Sequence, residues 1–216
     1  MWNEARSNAP GATSAIVQRG TAEVAQESPL VGAADLLKAH QAGASKKFRL
    51  NERPFRDLVN LRGDATDPAF VRAVESVTGC RPPAKPNTVA RGNGYDVLWL
   101  GPDEWLVRSQ QQQPATLEAE LVEALEGQFA AAVDIGSGYT VLEVSGEKVR
   151  DVIARGCPLD LHPRVLAPGQ CAQSHYFKAS IVLIPVSDDT YELVVRRSFA
   201  DYFVRIMLDA AAPLMS

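Results

Sequence analysis

Between residues 55 and 135 the apolar residues change period in a set order, and that order restricts the chain to few folds. The segment Phe55–Leu61 carries Leu58, Val59 and Leu61 and predicts a strand. Asp67-Pro68 then opens a helix, with Asp as N-cap and Pro at the first helical position. Phe70, Val74 and Val77 share one face of it, and Gly79 closes it. A loop with Pro82, Pro83 and Pro86 follows. Two apolar runs, Tyr95–Leu100 and Trp105–Arg108, flank Gly101-Pro102-Asp103-Glu104, which predicts a hairpin with a four-residue loop. Pro114 begins the next helix. Its apolar stripe is Leu117, Leu121, Ala124 and Leu125, its wet side Glu118, Glu120 and Glu123, and Gly127 ends it. Ala131–Ile135 is a further strand. The order is strand, helix, strand, strand, helix, strand.

The chain then repeats most of that order without repeating its sequence. Tyr139–Val144 reads as a strand, and Glu147–Arg155 as a helix with Val149, Val152 and Ile153 inward and Gly156 at its end. Tyr176–Val186 reads as one long strand, paired through the turn Ser187-Asp188-Asp189-Thr190 with Tyr191–Arg196. Ser198 is expected to cap a last helix with Phe199, Tyr202, Phe203 and Ile206 on its inner face. The fold class is therefore α+β: two ferredoxin-like βαββαβ-type units with mainly antiparallel sheets, the second incomplete. Its missing strand must come from elsewhere, such as Lys47–Leu50, or a partner must cover the open edge. The expected division is 46–136 for the first plait and 137–216 for the second. Residues 1–45 are expected to form a disordered or loosely docked arm, with a short helical patch near Ala33–Ala39 around Leu36 and Leu37.

Composition narrows the setting. Hydrophobic residues make up 46% of the chain and charged residues 22%, enough apolar material for a core. The net charge is −4, and Lys46-Lys47-Phe48-Arg49 is the one tight basic run, better read as a solvated strand start; nucleic acid is not an expected partner. Nothing approaches the ~18 consecutive apolar residues of a membrane span, and Met1-Trp2-Asn3-Glu4-Ala5-Arg6 does not lead into the apolar core of a secretory signal. Cys80, Cys157 and Cys171 form an odd, sparse set that does not read as a disulfide framework. A reducing, cytoplasmic setting is expected.

Residue types that do chemistry occur in unpromising patterns. Cys157, His162, Cys171 and His175 are good zinc ligands, but their spacing lacks the tight Cys-x2-4-Cys knuckle, which favours buried thiols and surface imidazoles. Cys171 and His175 lie about 13 Å apart along a strand, too far for a nucleophile pair. Gly136-Ser137-Gly138 leads into a strand and not a helix, so it reads as a turn and not a phosphate cradle; Gly92-Asn93-Gly94 reads likewise. Asp103-Glu104 and Asp188-Asp189 sit at hairpin tips, where carboxylates serve turns. Asp134 reads as a turn anchor. Trp99, Trp105, Tyr139, Tyr176 and Phe177 are candidates for core packing. Arg53-Pro54-Phe55-Arg56 and Arg196-Arg197-Ser198-Phe199 place arginine beside aromatic residues at element edges, which suits either an interface or plain surface structure. The candidate interface residues are Arg53, Phe55, Arg56, Trp105, Arg197 and Phe199. No catalytic, cofactor-binding or metal-binding residue is expected on this chain.

Four segments together resemble the gamma subunits of bacterial heterotetrameric sarcosine oxidases. They are Arg53-Pro54-Phe55-Arg56-Asp57-Leu58-Val59-Asn60-Leu61-Arg62-Gly63-Asp64, Leu98-Trp99-Leu100-Gly101-Pro102-Asp103-Glu104-Trp105-Leu106, Cys157-Pro158-Leu159-Asp160-Leu161-His162-Pro163 with Pro168-Gly169-Gln170-Cys171-Ala172-Gln173, and Arg197-Ser198-Phe199-Ala200-Asp201-Tyr202. The resemblance runs from about Phe48 onward, and Leu-Gly-Pro-Asp-Glu-Trp is its most specific part. It implies a complex that oxidises sarcosine to glycine with hydrogen peroxide and passes the one-carbon unit to tetrahydrofolate. It implies alpha, beta and delta partners, with NAD, FAD, FMN and folate on alpha and beta and zinc on delta, and none of these on gamma. It also implies the folate-binding fold of aminomethyltransferases. Asp134-Ile135-Gly136-Ser137-Gly138-Tyr139 departs from the Asp-Val/Leu-Ser-(His/Asp)-(Arg/Gly) pattern of those relatives and lacks the Arg that often follows, which argues against folate binding here. The alternatives are a gamma-like subunit of an N-methylglutamate dehydrogenase and a free-standing folate-binding protein of the aminomethyltransferase type.

Overall fold

A computed structural model describes residues 27–43, 46–112 and 116–215. The expectations for residues 1–26 and for Pro114 as a helix start lie outside the described residues. The first sheet orders β3 (Val89–Arg91), β4 (Tyr95–Gly101), β5 (Glu104–Ser109), β2 (Leu58–Arg62) and β6 (Ala131–Asp134). The second orders β1 (Arg49–Arg53), β7 (Tyr139–Ser145), β10 (Thr190–Arg196), β9 (Ala179–Ser187) and β8 (Ala172–Tyr176). All the strand pairs are antiparallel.

Each sheet is a four-strand plait with one extra strand added beside β4 or β9. In the first plait β6, β2, β5 and β4 stand side by side; in the second β1, β7, β10 and β9 do. The fourth strand of the second plait thus comes from before the first plait, as the missing-strand argument allowed. It is Arg49–Arg53, and it pairs in register from Arg49 opposite Ser145 to Arg53 opposite Val141. A division at residue 136 is therefore crossed by β1, which lies in the 46–136 stretch but belongs to the second sheet.

Burial sorts the side chains into layers. Helices α2 (Pro68–Thr78) and α3 (Leu117–Ala124) cover one face of the first sheet, and Phe70, Val74, Leu117 and Leu121 pack there with Val97, Trp105 and Val107. Helices α1 (Ala34–Ala42), α4 (Val149–Ala154) and α5 (Ala200–Met215) cover the second sheet through Leu37, Val152, Phe203 and Met207. The remaining faces meet each other, with Leu58, Leu98 and Leu106 against Val141, Ile184 and Val194. The result is four layers, helix, sheet, sheet, helix, so the central strands are buried on both faces. Among the described residues no helix is long and apolar enough to cross a membrane.

Local chemistry explains the element ends. Asp67 Oδ1 accepts from the Ala69 amide at 2.8 Å and caps α2, with Pro68 at its first position. Gly79 ends α2 at φ +72°, where a Cβ would also strike Asn93. Gly146, at φ +120°, lets the strand entering β1 pass close by, since a Cβ there would lie 2.5 Å from the Lys47 carbonyl oxygen.

Several sequence expectations need correction. The 101–104 hairpin has a two-residue loop, because Gly101 already faces Glu104 and a register shift at Leu100 takes up the slack. The long strand expected over Tyr176–Val186 is two strands: Phe177, at φ +48°, turns β8 back onto β9. Phe55 stands outside β2, at φ +55°. Ser198 makes no capping bond; residues 197–199 form a short 3-10 turn before α5. That turn shifts the buried stripe to Ala200, Phe203, Val204 and Met207, leaving Phe199 and Tyr202 each 37% exposed.

One ionic cluster sits between the sheets. Arg108 on β5 reaches Asp96 on β4 at 2.8 Å and Glu192 on β10, in the opposite sheet, at 2.5 Å. Asp96 also accepts from Gln110 Nε2 at 2.8 Å and lies 3.6 Å from Arg91. Asp96 and Arg108 are buried, so the guanidinium must satisfy two carboxylates at once.

Two outcomes follow from this packing. Trp105→Ala should destabilise the chain by about 3–5 kcal/mol in urea unfolding, as expected for a fully buried aromatic side chain. Arg108→Leu should cost about 3–5 kcal/mol by stranding Asp96 and Glu192, whereas joint replacement of all three by apolar residues of similar volume should recover most of that loss.

Candidate functional site

One end of the paired sheets gathers most of the arginines and aromatics singled out in the sequence. β1 ends there at Arg53, β7 begins at Tyr139 and β10 ends at Arg196, because Arg53 stands opposite Val141 and Arg196 opposite Tyr139. The chain crosses from the second sheet to the first through residues 54–57 at the same end. Left-handed φ is costly for a residue with a Cβ, and here it turns Phe55 outward, 38% exposed. Arg53 pairs with Glu143 at 2.8 Å. Arg56 is half-buried, and its Nη1 donates to no group among the described residues. Burial pushes its pKa down; Glu192 opposes that, and Arg108 and Arg53 add to it. The guanidinium stays charged all the same.

Two turns complete this surface. Gly136 lies beside residue 56, since a Cβ on it would sit 3.5 Å from the Arg56 carbonyl oxygen. The 136–138 turn packs on the 197–199 turn, which carries Arg197 and Phe199 to the surface. The Arg196 guanidinium stands 5.6 Å over the Tyr139 ring, and Phe199 meets Tyr202 edge-on at 6.4 Å. Arg53, Phe55, Arg56, Arg197 and Phe199 thus share one end of the fold. Trp105 is a correction. It is fully buried on the helix side of β5, 5.5 Å from the Phe70 ring, and its Nε1 donates to the Pro83 carbonyl at 2.9 Å, so it has no surface to offer a partner.

The other candidate groups do not converge. Cys157 lies in the core beneath the second sheet, its Sγ 3.6 Å from Ser174 Oγ, while Cys171 lies between the sheets with its Sγ directed at the Trp99 carbonyl. His162 and His175 are exposed. Burial pushes the Cys171 thiol up to about 11, so it stays protonated at neutral pH and is a poor nucleophile. Among the described residues no three His, Cys, Asp or Glu side chains stand where they could hold a metal ion. Asp134 is exposed and accepts from the Gly136 amide at 2.8 Å, which makes it the anchor of the 136–138 turn. Asp103 and Glu104 pair with Arg62, and hydrogen bonds from Ser187 and Thr190 hold the Asp189 carboxyl below its usual range.

Sequence reading missed Asp96, Arg108 and Glu192 as a unit. A signal existed, because each charge interrupts an apolar run in a strand buried on both faces, where only a paired charge is tolerated. What could not be read was which charge in the other half answers Arg108.

Comparison with known proteins agrees with this architecture. The family model described as "Sarcosine oxidase, gamma subunit family" matches residues 62–213. A sarcosine oxidase subunit gamma from Corynebacterium sp. (strain P-1) is 30% identical over 177 residues, which span 82% of this chain and 86% of the relative. One from Arthrobacter sp. is 30% identical over 168 residues, 77% and 81% of the two chains. A chain of the heterotetrameric sarcosine oxidase from Corynebacterium sp. U-96, solved with pyrrole 2-carboxylate, superposes with a TM-score of 0.79 at 28% identity, covering 88% of this chain and 97% of that one. Aminomethyltransferase T of the glycine cleavage system from Bartonella henselae shares the fold, with a TM-score of 0.59 at 15% identity over 80% of this chain and 48% of that one. With the model spanning both plaits and the relatives matched over most of their length, this chain belongs to the sarcosine oxidase gamma subunit family.

Proposed function

We propose that this chain acts as the gamma subunit of a cytoplasmic heterotetrameric sarcosine oxidase and contributes assembly and stability, not reacting groups. The observation that carries the reading is the family match over residues 62–213, supported by the likeness to a chain of the heterotetrameric enzyme. On this reading the complex oxidatively demethylates sarcosine to glycine, reduces oxygen to hydrogen peroxide and passes the one-carbon unit to tetrahydrofolate. The alpha and beta subunits hold NAD, FAD, FMN and folate, and delta holds zinc.

The disposition of polar groups favours a scaffold role. The buried charges are tied to each other across the sheets, the buried thiols face carbonyl and hydroxyl groups, and the hairpin carboxylates are engaged by arginine, hydroxyl and backbone partners. A free-standing folate enzyme would need a buried carboxylate facing a pterin-sized pocket, and Asp134 is exposed and bound to its own turn. Arg53, Phe55, Arg56, Arg197 and Phe199 form the docking surface in this reading. Arginine forks with exposed aromatic rings suit a partner face bearing carboxylates, since such pairs recur among interface anchors.

Expressed alone, the chain should be colourless and inactive toward sarcosine; with the other three subunits it should co-purify in equal proportion. A flavin, folate or metal held stoichiometrically by the lone chain would end this reading. The double variant Arg197→Glu, Phe199→Ala should weaken assembly by about tenfold or more in Kd, as loss of an interface anchor does, with its melting temperature unchanged. Assembly indistinguishable from wild type would remove that surface from the interface.

A further inference from the structure

We infer that the outer edge of β6, with the exposed side of α3, accepts an added β-strand from a partner subunit, one whose side chains alternate between basic and apolar. The inference rests on the gamma-subunit reading and adds where and how a partner docks. β6 ends its sheet and pairs only with β2 among the described residues. The Ile135 amide bonds inward to the Leu58 carbonyl, whereas the Asp134 amide turns outward and is met by Glu118 Oε1 at 3.1 Å. By the alternation of an antiparallel ladder, Ala132 also turns its N–H and C=O outward, to a side where no strand lies among the described residues.

The twin edge in the other sheet is closed. β1 holds beside β7 the place that β6 holds beside β2, and it is covered by α1 and the segment before it. Gln41 Nε2 donates to Asn51 Oδ1 at 3.0 Å, and Ser28 Oγ donates to the Glu52 carboxylate. The β6 edge meets α3, whose Glu118 takes the Asp134 amide, but among the described residues no hydrogen bond takes the outward Ala132 amide. The edge is also flanked by large exposed apolar side chains: Phe129 is fully exposed, and Val122 and Val133 are 53% and 51% exposed. Such a row beside an unpaired edge invites strand addition.

Charge selects the kind of strand. Residues 109–147 contain no Lys, Arg or His, and α3 and the turn after it expose Glu118, Glu120, Glu123 and Glu126. Ala132 faces the α3 side and Val133 the opposite side, because successive strand residues alternate. The incoming strand therefore presents Lys or Arg toward α3 and apolar residues toward Val133.

The test uses the full-length chain, free and in the co-expressed four-subunit complex. Hydrogen exchange in a peptide covering residues 128–135 should slow on assembly. Ala132→Pro removes an outward N–H that no internal bond uses, and Phe129→Glu alters only exposed surface. Each should lower co-purification by about tenfold while far-UV dichroism stays unchanged, and assembly should weaken as salt rises. If Ala132→Pro misfolds, Phe129→Glu decides. Normal complex formation with unchanged exchange at 128–135 overturns the inference and leaves the gamma reading standing. Protection already present in the lone chain overturns it in favour of the chain's own residues 1–26 if deleting them releases it, or of a second copy if it grows with concentration. A wild-type chain that never joins the other subunits overturns both readings.

Discussion

Two antiparallel sheets pressed face to face leave little tolerance for charge between them, and Arg108 is the charge that this fold nonetheless keeps there. Its guanidinium joins Asp96 in its own sheet to Glu192 in the other. Leu58, Leu98 and Leu106 could slide over Val141, Ile184 and Val194 at modest cost, because apolar contact is not directional. A buried cation with two buried carboxylate partners has one good arrangement, so it favours a single alignment of the sheets.

That alignment decides what reaches the surface. It brings the end of β1, the 136–138 turn and the 197–199 turn to one end of the sandwich, where Arg56 lies half-buried beside the same ionic cluster. The proposed docking arginines are thus continuous with the charges that hold the sheets together. Loss of an inner partner such as Glu192 would reach the docking surface through Arg56 with no docking residue replaced.

The strand exchange in the second plait gives the molecule its asymmetry. Because β1 comes from before the first plait, residues 28–42 are delivered directly onto its edge and close it. The corresponding edge at β6 leads straight into the 136–138 turn and so carries no following segment to cover it. Residues 28–42 lie along the edge of one plait; among the described residues the other keeps an unpaired strand edge beside an acidic helix, which fits a chain that works beside partners.

Local pattern was enough for the elements whose ends are set by local chemistry. Asp67, Pro68 and Gly79 bound α2 by capping, fixed φ and left-handed backbone, and short apolar runs marked β2, β5 and β10. The strand, helix, strand, strand order predicted two plaits and even that the second lacked a strand. Sequence alone could not see that Phe177 turns the chain, because a non-glycine residue at positive φ is held by its surroundings and not by its own preference. Nor could it tell Trp105 in the core from Phe199 at the surface, since both are aromatic residues at element ends. Apolar period and capping residues act over a few neighbours, so the sequence determined the elements and their order. Which charge answers Arg108, which strand completes the second plait and which edge stays open depend on contacts between residues far apart in the chain, so only the tertiary structure decided them.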